Sequence, residues 1–489
     1  MLSLVSASTF LVMSFGTSFV FAYGDTCNTN VVGYWGQNSY GAANSADTAN
    51  YQQRLSYYCN DDSVDVFPIA FLDVFSSTGD LPQINLANTC NEDNASYFTG
   101  SQLLDCSFLA ADIETCQANG KKVTISLGGA TGGGTADAAF ADQIWDLFLG
   151  GSSSTRPFGD AVLDGVDLDI EGGSNSYVDF VNQLRTHYSG ASKKYYVTAA
   201  PQCPYPDAYI GSSLNGAEFD AIYVQFYNNA CSVTNYGESA WNFGTWDYWA
   251  NRISPNPDIK VYLGVPASSS AAGSGYVAAS TVNSISATLQ KSFPSFGGVM
   301  FWDESQAYVN GRFDTAVKSG ISGSGTCSGF TYPACTAEAW SASGTYPTGS
   351  QVTYDNYIWQ ARYYGSGTPS PSDTGSWVPI SACGGGSTSS SSSSTTSKSS
   401  TTTTSTTTSK ASTTTTTAQS SSTTSSAATT TTSTSSSGGC SGVAAWSSTT
   451  AYNGGSEVTY NGELWENSYW SYNDVPGGTA GVWVEIGTC

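Results

Sequence analysis

The chain has 489 residues, 39% hydrophobic and 13% aromatic, which is long enough for more than one folded domain. Its formal net charge of −23 argues against nucleic acid and anionic membranes as partners, because neutralising phosphates requires clustered Lys and Arg. The single histidine, His187, falls at the end of a predicted helix, which argues against a catalytic unit built on histidine.

Residues 1–22 form an apolar segment that ends in the small residues Val20 and Ala22. A signal peptidase reads small residues at such positions, so we expect a cleaved signal peptide and a secreted, extracellular protein, with association to the cell wall as one extracellular location. The 12 cysteines fit disulfide bonding in an oxidising compartment. Because the chain lacks CxxC pairs and has one histidine, we expect no metal and no cofactor.

A series of apolar, strand-like runs follows, with helix-like segments between most of them. Over residues 30–307 the runs are VVGYWGQ, VDVFPIAFL, KKVTISLGG, LDGVDLDIE, KKYYVTAAP, FDAIYVQFY, IKVYLGVPA and FGGVMFWDE. Their number and alternation predict a parallel (β/α)8 barrel, an α/β catalytic domain over residues 23–326. A doubly wound open sheet is the alternative, although no Gly-rich phosphate fingerprint follows the first run.

The fourth run, LDGVDLDIEGG at residues 163–173, places carboxylates on a strand that otherwise looks buried. Because side chains alternate along a strand, Asp167, Asp169 and Glu171 share one face, while the interleaved Val, Leu and Ile share the other. In a barrel the acidic face points inward, and the glycines that end the run place Glu171 at the carboxyl-terminal rim. Asp164 lies off the inward register, and we expect it to have a structural role at the start of the strand.

Carboxylates two residues apart on one strand face lie about 7 Å apart. Mutual repulsion and burial both raise carboxyl pKa values, so at least one of these groups should stay protonated near neutral pH and serve as a general acid. A calcium site or a solvated acidic edge is the structural alternative. A solvated edge would not alternate with Val, Leu and Ile, and the spacing differs from that of known calcium loops.

The segment DGVDLDIE resembles the D-x-x-D-x-D-x-E signature of glycoside hydrolase family 18. GYWGQN, SLGGATGG, VQFYNN and GGVMFW are similar to the flanking strands of plant and fungal class III chitinases, and the resemblance runs from about residue 30 to residue 317. It implies substrate-assisted retaining hydrolysis, in which the 2-acetamido oxygen of the substrate attacks the anomeric carbon. Glu171 would protonate the glycosidic oxygen, Asp169 would orient the acetamido group and share a proton with Asp167, and Tyr227 would hydrogen-bond the acetamido carbonyl.

The same resemblance implies further substrate contacts. Trp302 would stack on the sugar before the cleaved bond. Tyr34, Gln37 and Gln225 match lesser positions of the groove, and each could equally be barrel packing. The short spacer between the last two predicted strands suits one helix, which implies a shallow, open groove and cleavage of internal bonds.

The resemblance also suggests disulfide pairs within the barrel. These are Cys59–Cys116, Cys90–Cys106, Cys203–Cys231 and, by elimination, Cys27–Cys327. Asn94 in the sequon NAS is expected to carry an N-linked glycan on a surface loop.

Two copies of one motif follow the barrel and align without a gap. AWSASGTYPTGSQVTYDNYIW begins at Ala339, and AWSSTTAYNGGSEVTYNGELW begins at Ala445. We expect two modules, residues 327–383 and 440–489, separated by a disordered, O-glycosylated Ser/Thr-rich linker over residues 384–439. Modules of this size cannot build a large core, so each should be stapled by a disulfide, Cys335–Cys383 in the first and Cys440–Cys489 in the second.

The repeats resemble carbohydrate-binding modules of families 5 and 12, whose AKWW-like segment reads ARYY at residues 361–364 and NSYW at residues 467–470. Adjacent aromatics on a strand point to opposite faces, so at most one of each pair should be core unless the strand bulges. We expect the tryptophans Trp340, Trp359, Trp446 and Trp465 to pack in the module cores. We expect four aromatics to contact sugar rings, namely Tyr363, Tyr364, Tyr469 and Trp470.

Together these features predict a secreted, monomeric endochitinase that binds chitin and chitin oligosaccharides and has neither nucleic acid nor membrane as partner. One alternative is an endo-β-N-acetylglucosaminidase acting on N-glycans, which shares the acidic strand. The other is a non-catalytic chitin-binding lectin, against which the intact Glu171 argues.

Overall fold

The computed structural model describes the barrel, the first repeat and parts of the second repeat. The described residues are 23–173, 175–365, 367–372, 374–384, 440, 443–448, 450–452, 456–467, 471–472, 475–478 and 483–489. The predicted signal peptide, almost all of the predicted linker, and Tyr469 and Trp470 lie outside them. The chain divides into two units, Met1–Thr388 and Ser389–Cys489.

The first unit contains a closed barrel of eight parallel strands. The sheet closes because β1 pairs with both β9 and β2, while β3 adds to β2 in antiparallel fashion outside the barrel. The strands are β1 (Asn30–Gly33), β2 (Val66–Val74), β3 (Gln83–Ile84), β4 (Lys122–Gly129), β5 (Gly165–Ile170), β6 (Tyr196–Ala199), β7 (Ala221–Gln225), β8 (Lys260–Pro266) and β9 (Phe296–Trp302). The predicted (β/α)8 barrel is therefore confirmed, and the open-sheet alternative is wrong.

Helices cover the outside of the barrel. They are α1 (Ser39–Ala43), α2 (Leu55–Tyr58), α3 (Ala110–Ala118), α4 (Ala138–Phe148), α5 (Val178–Ser189), α6 (Gly211–Gly216), α7 (Phe243–Arg252), α8 (Ala279–Ser292), α9 (Glu304–Val309) and α10 (Phe313–Ser324). Only α8 lies between β8 and β9, as the short spacer predicts. Within the described ranges, no helix is both long enough and apolar enough to span a bilayer.

Strand β5 has the two faces that its sequence predicts. Val166, Leu168 and Ile170 belong to the core between strands and helices, whereas Asp167 and Asp169 are buried inside the barrel. The alternation of this strand therefore separates the residues that stabilise the fold from the residues that face the barrel interior.

Asp164, just before β5, has the structural role expected of it. Its Oδ2 accepts hydrogen bonds from the backbone N–H of Val123 and from Gln117 Nε2, both at 2.9 Å, and its Oδ1 lies 3.2 Å from Lys193 Nζ. These contacts join β4, α3 and the segment before β6 at the amino-terminal end of the barrel.

His187 lies in the last turn of α5, and its Nε2 is 2.6 Å from Asp142 Oδ1 on α4. Its ring stacks on Trp145, with ring centroids 4.9 Å apart. The histidine therefore links two outer helices, at a distance from the carboxylates of β5.

All six disulfide pairs expected from the sequence form in the structure. They are Cys27–Cys327, Cys59–Cys116, Cys90–Cys106, Cys203–Cys231, Cys335–Cys383 and Cys440–Cys489. Cys27–Cys327 ties the two ends of the barrel together, and the last two pairs close the two repeats.

The two repeats contain the same three-stranded antiparallel sheet. In the first repeat its strands are β10 (Gln351–Tyr354), β11 (Tyr357–Ala361) and β12 (Trp377–Ala382), and in the second they are β14 (Glu457–Tyr460), β15 (Glu463–Asn467) and β17 (Trp483–Thr488). The second repeat also pairs β13 (Ala451–Tyr452) with β16 (Ser471–Tyr472). Of the four tryptophans expected in the cores, Trp359 is fully buried, and Trp340, Trp446 and Trp465 are half-buried.

Candidate active site

The predicted site residues meet at the carboxyl-terminal ends of the barrel strands. Glu171 directly follows β5, Tyr227 follows β7, and Trp302 ends β9. They line a cavity of about 370 Å³ together with Asp169, and Tyr34, Gln37 and Gln225 also contribute to its wall. A larger cavity of about 820 Å³ lies at the amino-terminal end of the strands, but none of these carboxyl groups lines it.

Asp167 lies fully buried below the cavity and is surrounded by hydroxyl groups. Its Oδ2 accepts hydrogen bonds from Tyr34 Oη and Ser126 Oγ, both at 2.7 Å, and its Oδ1 accepts one from Thr198 Oγ1 at 2.6 Å. Burial raises the pKa of Asp167, and the three hydroxyl donors act in the opposite direction because they stabilise the charged form.

Asp169 and Glu171 form a pair of neighbouring carboxyl groups, and the amide of Gln225 donates to both of them. Burial, followed by repulsion from Glu171 and Asp167, raises the pKa of Asp169 well above its usual range. Burial also raises the pKa of Glu171, while hydrogen bonds from Gln225 and Asp169 oppose that shift. The pair therefore holds its proton at a pH where isolated carboxyl groups would be ionised.

Both oxygens of Asp167 accept hydrogen bonds from hydroxyl groups. After burial and Glu171, the charge of Asp167 also contributes to the raised pKa of Asp169. The proton shared between Asp169 and Asp167 stays a prediction.

Gln225 is more central than the lesser groove position predicted for it. Its Nε2 donates to Asp169 Oδ1 at 3.0 Å, to Glu171 Oε1 at 3.3 Å and to the backbone oxygen of Ala200 at 3.0 Å. A donor shared between two carboxyl groups both orients them and stabilises their charged forms.

Tyr227, after β7, and Trp302, at the end of β9, line the same side of the cavity with β8 between them. Burial, followed by the charges of Asp169 and Glu171, raises the pKa of Tyr227 well above its usual range, so its hydroxyl remains a hydrogen-bond donor. Among the described residues, no side chain or backbone group is bonded to that hydroxyl. Trp302 is half-buried and stacks on Phe71 at 5.7 Å between ring centroids, which leaves an aromatic surface at the cavity.

Tyr34 and Gln37 contribute to the framework of the site. Tyr34 is almost fully buried and donates to Asp167, so it supports the acidic strand. Gln37 Nε2 donates to the backbone oxygens of Ala70 at 3.0 Å and Asn85 at 2.9 Å. Its amide group is therefore fixed to the wall of the cavity.

A close approach of two strands sets the position of Asp169. Gly128, in β4, has a φ of +110°, and a Cβ at this position would lie 2.2 Å from the backbone oxygen of Asp169. Only glycine fits this conformation without displacing the acidic strand.

Sequence reasoning missed three polar residues that act on the carboxylates. Ser126 and Thr198 alternate with apolar residues in the third and fifth predicted strands. This alternation indicates that their side chains point into the barrel, so it could have identified them. Asp207, which is buried in the loop after β6, raises the pKa of both Asp169 and Glu171 through its charge. No local pattern indicates Asp207, because only the tertiary structure brings this loop near β5.

The predicted sugar-contacting tyrosines of the first repeat are both exposed, Tyr363 by 57% and Tyr364 by 63%. This agrees with the expectation that at most one of them would be core, although strand alternation is not the cause, because β11 ends at Ala361 and the tyrosines lie in a bend beyond it. They do not line the cavity of the barrel. The corresponding Tyr469 and Trp470 lie outside the described residues.

The described part of the chain contains no group of three or more His, Cys, Asp or Glu side chains arranged to hold a metal ion. The carboxyl groups at the cavity and below it accept hydrogen bonds from amide and hydroxyl donors. The chemistry that this site can perform with its own groups is proton transfer from a carboxyl pair next to an aromatic surface and a phenol donor.

A family model described as "Glycosyl hydrolases family 18" matches residues 30–356, from the first barrel strand into the first repeat. The chain is 50% identical over 303 residues to "Chitinase 2" of Rhizopus oligosporus, covering 61% of this chain and 53% of that protein. It is 46% identical over 276 residues to "Class III chitinase" of Arthroderma benhamiae, covering 53% of this chain and 83% of that protein. It is 43% identical over 309 residues to "Endochitinase 33" of Trichoderma harzianum, covering 60% of this chain and 91% of that protein. The chain spans about half the length of the Rhizopus protein.

Proposed function

Because the chain belongs to the glycosyl hydrolases of family 18, we propose that it is a secreted endochitinase that hydrolyses internal β-1,4 N-acetylglucosamine linkages by substrate-assisted, retaining catalysis. The observation that carries this proposal is the pair of carboxyl groups of Asp169 and Glu171 at the carboxyl-terminal end of β5, both bonded by the amide of Gln225 and lining one cavity with Tyr227 and Trp302. The names of the fungal relatives support chitin as the substrate.

In this mechanism Glu171 donates its proton to the glycosidic oxygen as the bond to the anomeric carbon breaks. The raised pKa that burial gives Glu171 supports this role, because an acid must be protonated near the working pH. The leaving sugar takes the proton, and deprotonated Glu171 can then activate a water molecule for the second step.

The acetamido group of the substrate supplies the nucleophile. Its oxygen attacks the anomeric carbon, Asp169 accepts a hydrogen bond from its N–H, and Tyr227 donates to its oxygen. The hydroxyl of Tyr227 is suited to this task because it forms no hydrogen bond with any group among the described residues. Asp167 shares a proton with Asp169, so that Asp169 can gain negative charge as the acetamido group gains positive charge.

The remaining residues bind the polymer. Trp302 offers its ring to the apolar face of a sugar, while Gln225 holds the carboxyl pair and Tyr34 and Gln37 hold the wall around it. A single helix between β8 and β9 leaves the cavity open at its rim, which supports cleavage within the chain of the polymer.

The proposal extends to the parts of the chain beyond the barrel. We assign chitin binding to both repeats through Tyr363, Tyr364, Tyr469 and Trp470, with residues 384–439 as a glycosylated tether. Two weak sites on one chain would raise retention on a solid polymer through effective concentration. We further assign a cleaved signal peptide to residues 1–22, an N-linked glycan to the exposed Asn94, and a monomeric, extracellular enzyme.

Glu171→Gln tests the activity. With soluble chitin hexamer, we expect kcat to fall at least about 10²-fold, because the proton donor is lost while shape and volume are kept. Glu114→Gln, at an exposed position of α3, is the matched control and should keep full activity. For the wild-type chain, early products of intermediate length would indicate internal cleavage, whereas near-normal turnover by Glu171→Gln would refute the mechanism.

The role of the repeats is tested by binding to solid chitin. Substitution of Tyr363 and Tyr364 by Ala should weaken retention several-fold and leave the hexamer rate unchanged, because these side chains are exposed outside the cavity. Unchanged retention of this variant would contradict sugar binding by the first repeat. Retention of Glu171→Gln at the wild-type level would separate binding from catalysis.

A further inference from the structure

The first repeat packs against the outer surface of the barrel at α7. Tyr357 Oη on β11 donates to Asp247 Oδ2 on α7 at 2.8 Å, and both residues are buried. Ser295, just before β9, donates to Asp247 Oδ1 through both its backbone N–H and its hydroxyl. Losing the hydrogen bond from Tyr357 would leave the buried carboxyl group of Asp247 partly unpaired, which costs free energy of folding.

A second contact lies at the end of α7. Arg252 Nε is 3.0 Å from Asp355 Oδ2, Arg252 Nη2 donates to the backbone oxygen of Asp355 at 3.2 Å, and Tyr248 Oη donates to Asp355 Oδ2 at 2.9 Å. The guanidinium carbon of Arg252 also lies 5.7 Å from the ring centre of Tyr357. Asp355 of the repeat thus binds both Tyr248 and the positively charged Arg252 of α7.

Apolar packing and a close backbone approach complete the contact. The ring of Tyr248 lies 5.1 Å from the rings of both Tyr357 and Trp359, so this barrel residue is part of the hydrophobic cluster of the repeat. A Cβ on Gly244 would lie 1.8 Å from the backbone oxygen of Pro379, so α7 carries glycine where β12 approaches it.

The second repeat provides a comparison within the same chain. The aromatic framework is kept between the copies: Trp359 and Trp465 each donate from Nε1 to the backbone oxygen of the corresponding tyrosine, at 2.9 and 3.2 Å. The two side chains that form polar bonds to α7 are not kept. In gapless alignment Asp355 and Tyr357 correspond to Asn461 and Glu463.

The residues of the second repeat could not form the ion pair with Arg252 or the hydrogen bond to Asp247. Asn461 has no charge to pair with Arg252, and Glu463 would bring a second carboxylate against the buried Asp247 where Tyr357 supplies a donor. The strand register supports the correspondence, because Trp359 lies opposite Pro379 and Trp465 lies opposite Glu485. Trp359 is fully buried and Trp465 is half-buried, as expected if only the first copy carries a docking face.

We infer that α7 is a docking site specific for the first repeat, so that the barrel and this repeat form one catalytic body, whereas the second repeat lacks the docking residues. Resting on the proposed function, this inference gives the two copies different tasks. The first presents Tyr363 and Tyr364 to chitin at a fixed position relative to the cleavage site. The second binds chitin without this docking contact.

The test replaces two residues of the first repeat with those at the corresponding positions of the second. The double substitution, Asp355→Asn with Tyr357→Glu in the 489-residue chain, is called the exchanged variant. In calorimetry the wild-type barrel and first repeat should unfold in one transition, and the exchanged variant should unfold in separate steps, beginning at least about 5 °C lower. The reciprocal exchange, Asn461→Asp with Glu463→Tyr, is the matched control and should leave that transition unchanged. A single, unshifted transition in the exchanged variant would overturn the inference.

Activity provides an independent readout. The rate of the exchanged variant on solid chitin should fall about three- to tenfold while its hexamer rate stays at the wild-type value, which also shows that the barrel is folded. Tyr357→Phe, which removes only the hydroxyl, should lie between wild type and the exchanged variant in both assays. An unchanged rate on solid chitin would refute the fixed presentation of the tyrosines. If the wild-type chain cleaved neither substrate, the proposed function would fail, while calorimetry would still decide the docking.

Discussion

Gln225→Leu is expected to move the pH dependence of hydrolysis in a defined direction. The amide of Gln225 donates to Asp169 at 3.0 Å and to Glu171 at 3.3 Å, and these hydrogen bonds favour the ionised carboxyl groups. Removing the donor raises the pKa of the pair. Because Glu171 must be protonated to act as the acid, activity should persist to higher pH, so the alkaline limb of the kcat profile moves upward.

The magnitude follows from the hydrogen-bond geometry. A hydrogen bond to a charged group contributes about 1.5–3 kcal/mol, and about 1.4 kcal/mol corresponds to one pKa unit. The Nε2 group of Gln225 is divided among three acceptors, and its distance to Glu171 is on the long side. Because the amide is shared, we expect less than the full effect of one such hydrogen bond, an upward movement of about 0.5 to 1 pH unit, together with a lower kcat at the optimum.

The assay is kcat for soluble chitin hexamer across the pH range, because kcat reports ionisation in the enzyme–substrate complex. Gln37→Leu is the matched control: its amide lines the same cavity but donates only to backbone oxygens of Ala70 and Asn85. Its alkaline limb should not move. An unmoved or lowered limb for Gln225→Leu would refute the reasoning that this amide sets the pKa of the carboxyl pair.

Two further substitutions test the geometry of the site. Tyr227→Phe should lower kcat for the hexamer about 10²–10³-fold with an unchanged melting temperature, since the lost hydroxyl serves only the substrate; undiminished kcat would contradict its role. Gly128→Ala should lower the melting temperature by at least about 4 °C and also reduce kcat, because its φ is +110° and the new methyl group meets the backbone of Asp169. Gly190→Ala is the control for that change, because the nearest atom to its new Cβ would be the backbone oxygen of His187 at 4.0 Å. Equal melting temperatures for the two variants would contradict the steric argument.

Much of the fold could be predicted because its signals are local. A strand repeats every two residues, so the sequence of β5 indicates which carboxylates face inward and which apolar residues face the helices. The eight apolar runs indicate the number of strands, and the parallel barrel follows because helices separate most of them. The gapless repeat likewise reveals two homologous modules, whose half-buried or buried tryptophans lie in corresponding places.

The partners of the site residues could be predicted less well. The sequence indicates that Asp167 and Asp169 face the same way, but not that Tyr34, Ser126 and Thr198 occupy the oxygens of Asp167. It also does not indicate that Asp207 comes close to the carboxyl pair. Each of these contacts joins different strands or loops, so no short-range pattern encodes it.

The sequence by itself determined the barrel, the inward acidic face of β5, the position of Glu171 at its rim and the duplication of the aromatic repeat, because each depends on residue spacing along one segment. Only the tertiary structure decided that Gln225 donates to both Asp169 and Glu171, and that the first repeat packs on α7. Tyr357 and Asp247 are 110 positions apart in the chain, and their hydrogen bond exists only because the folded barrel brings α7 to the repeat. Contacts of this kind depend on how whole elements pack, which the order of neighbouring residues does not specify.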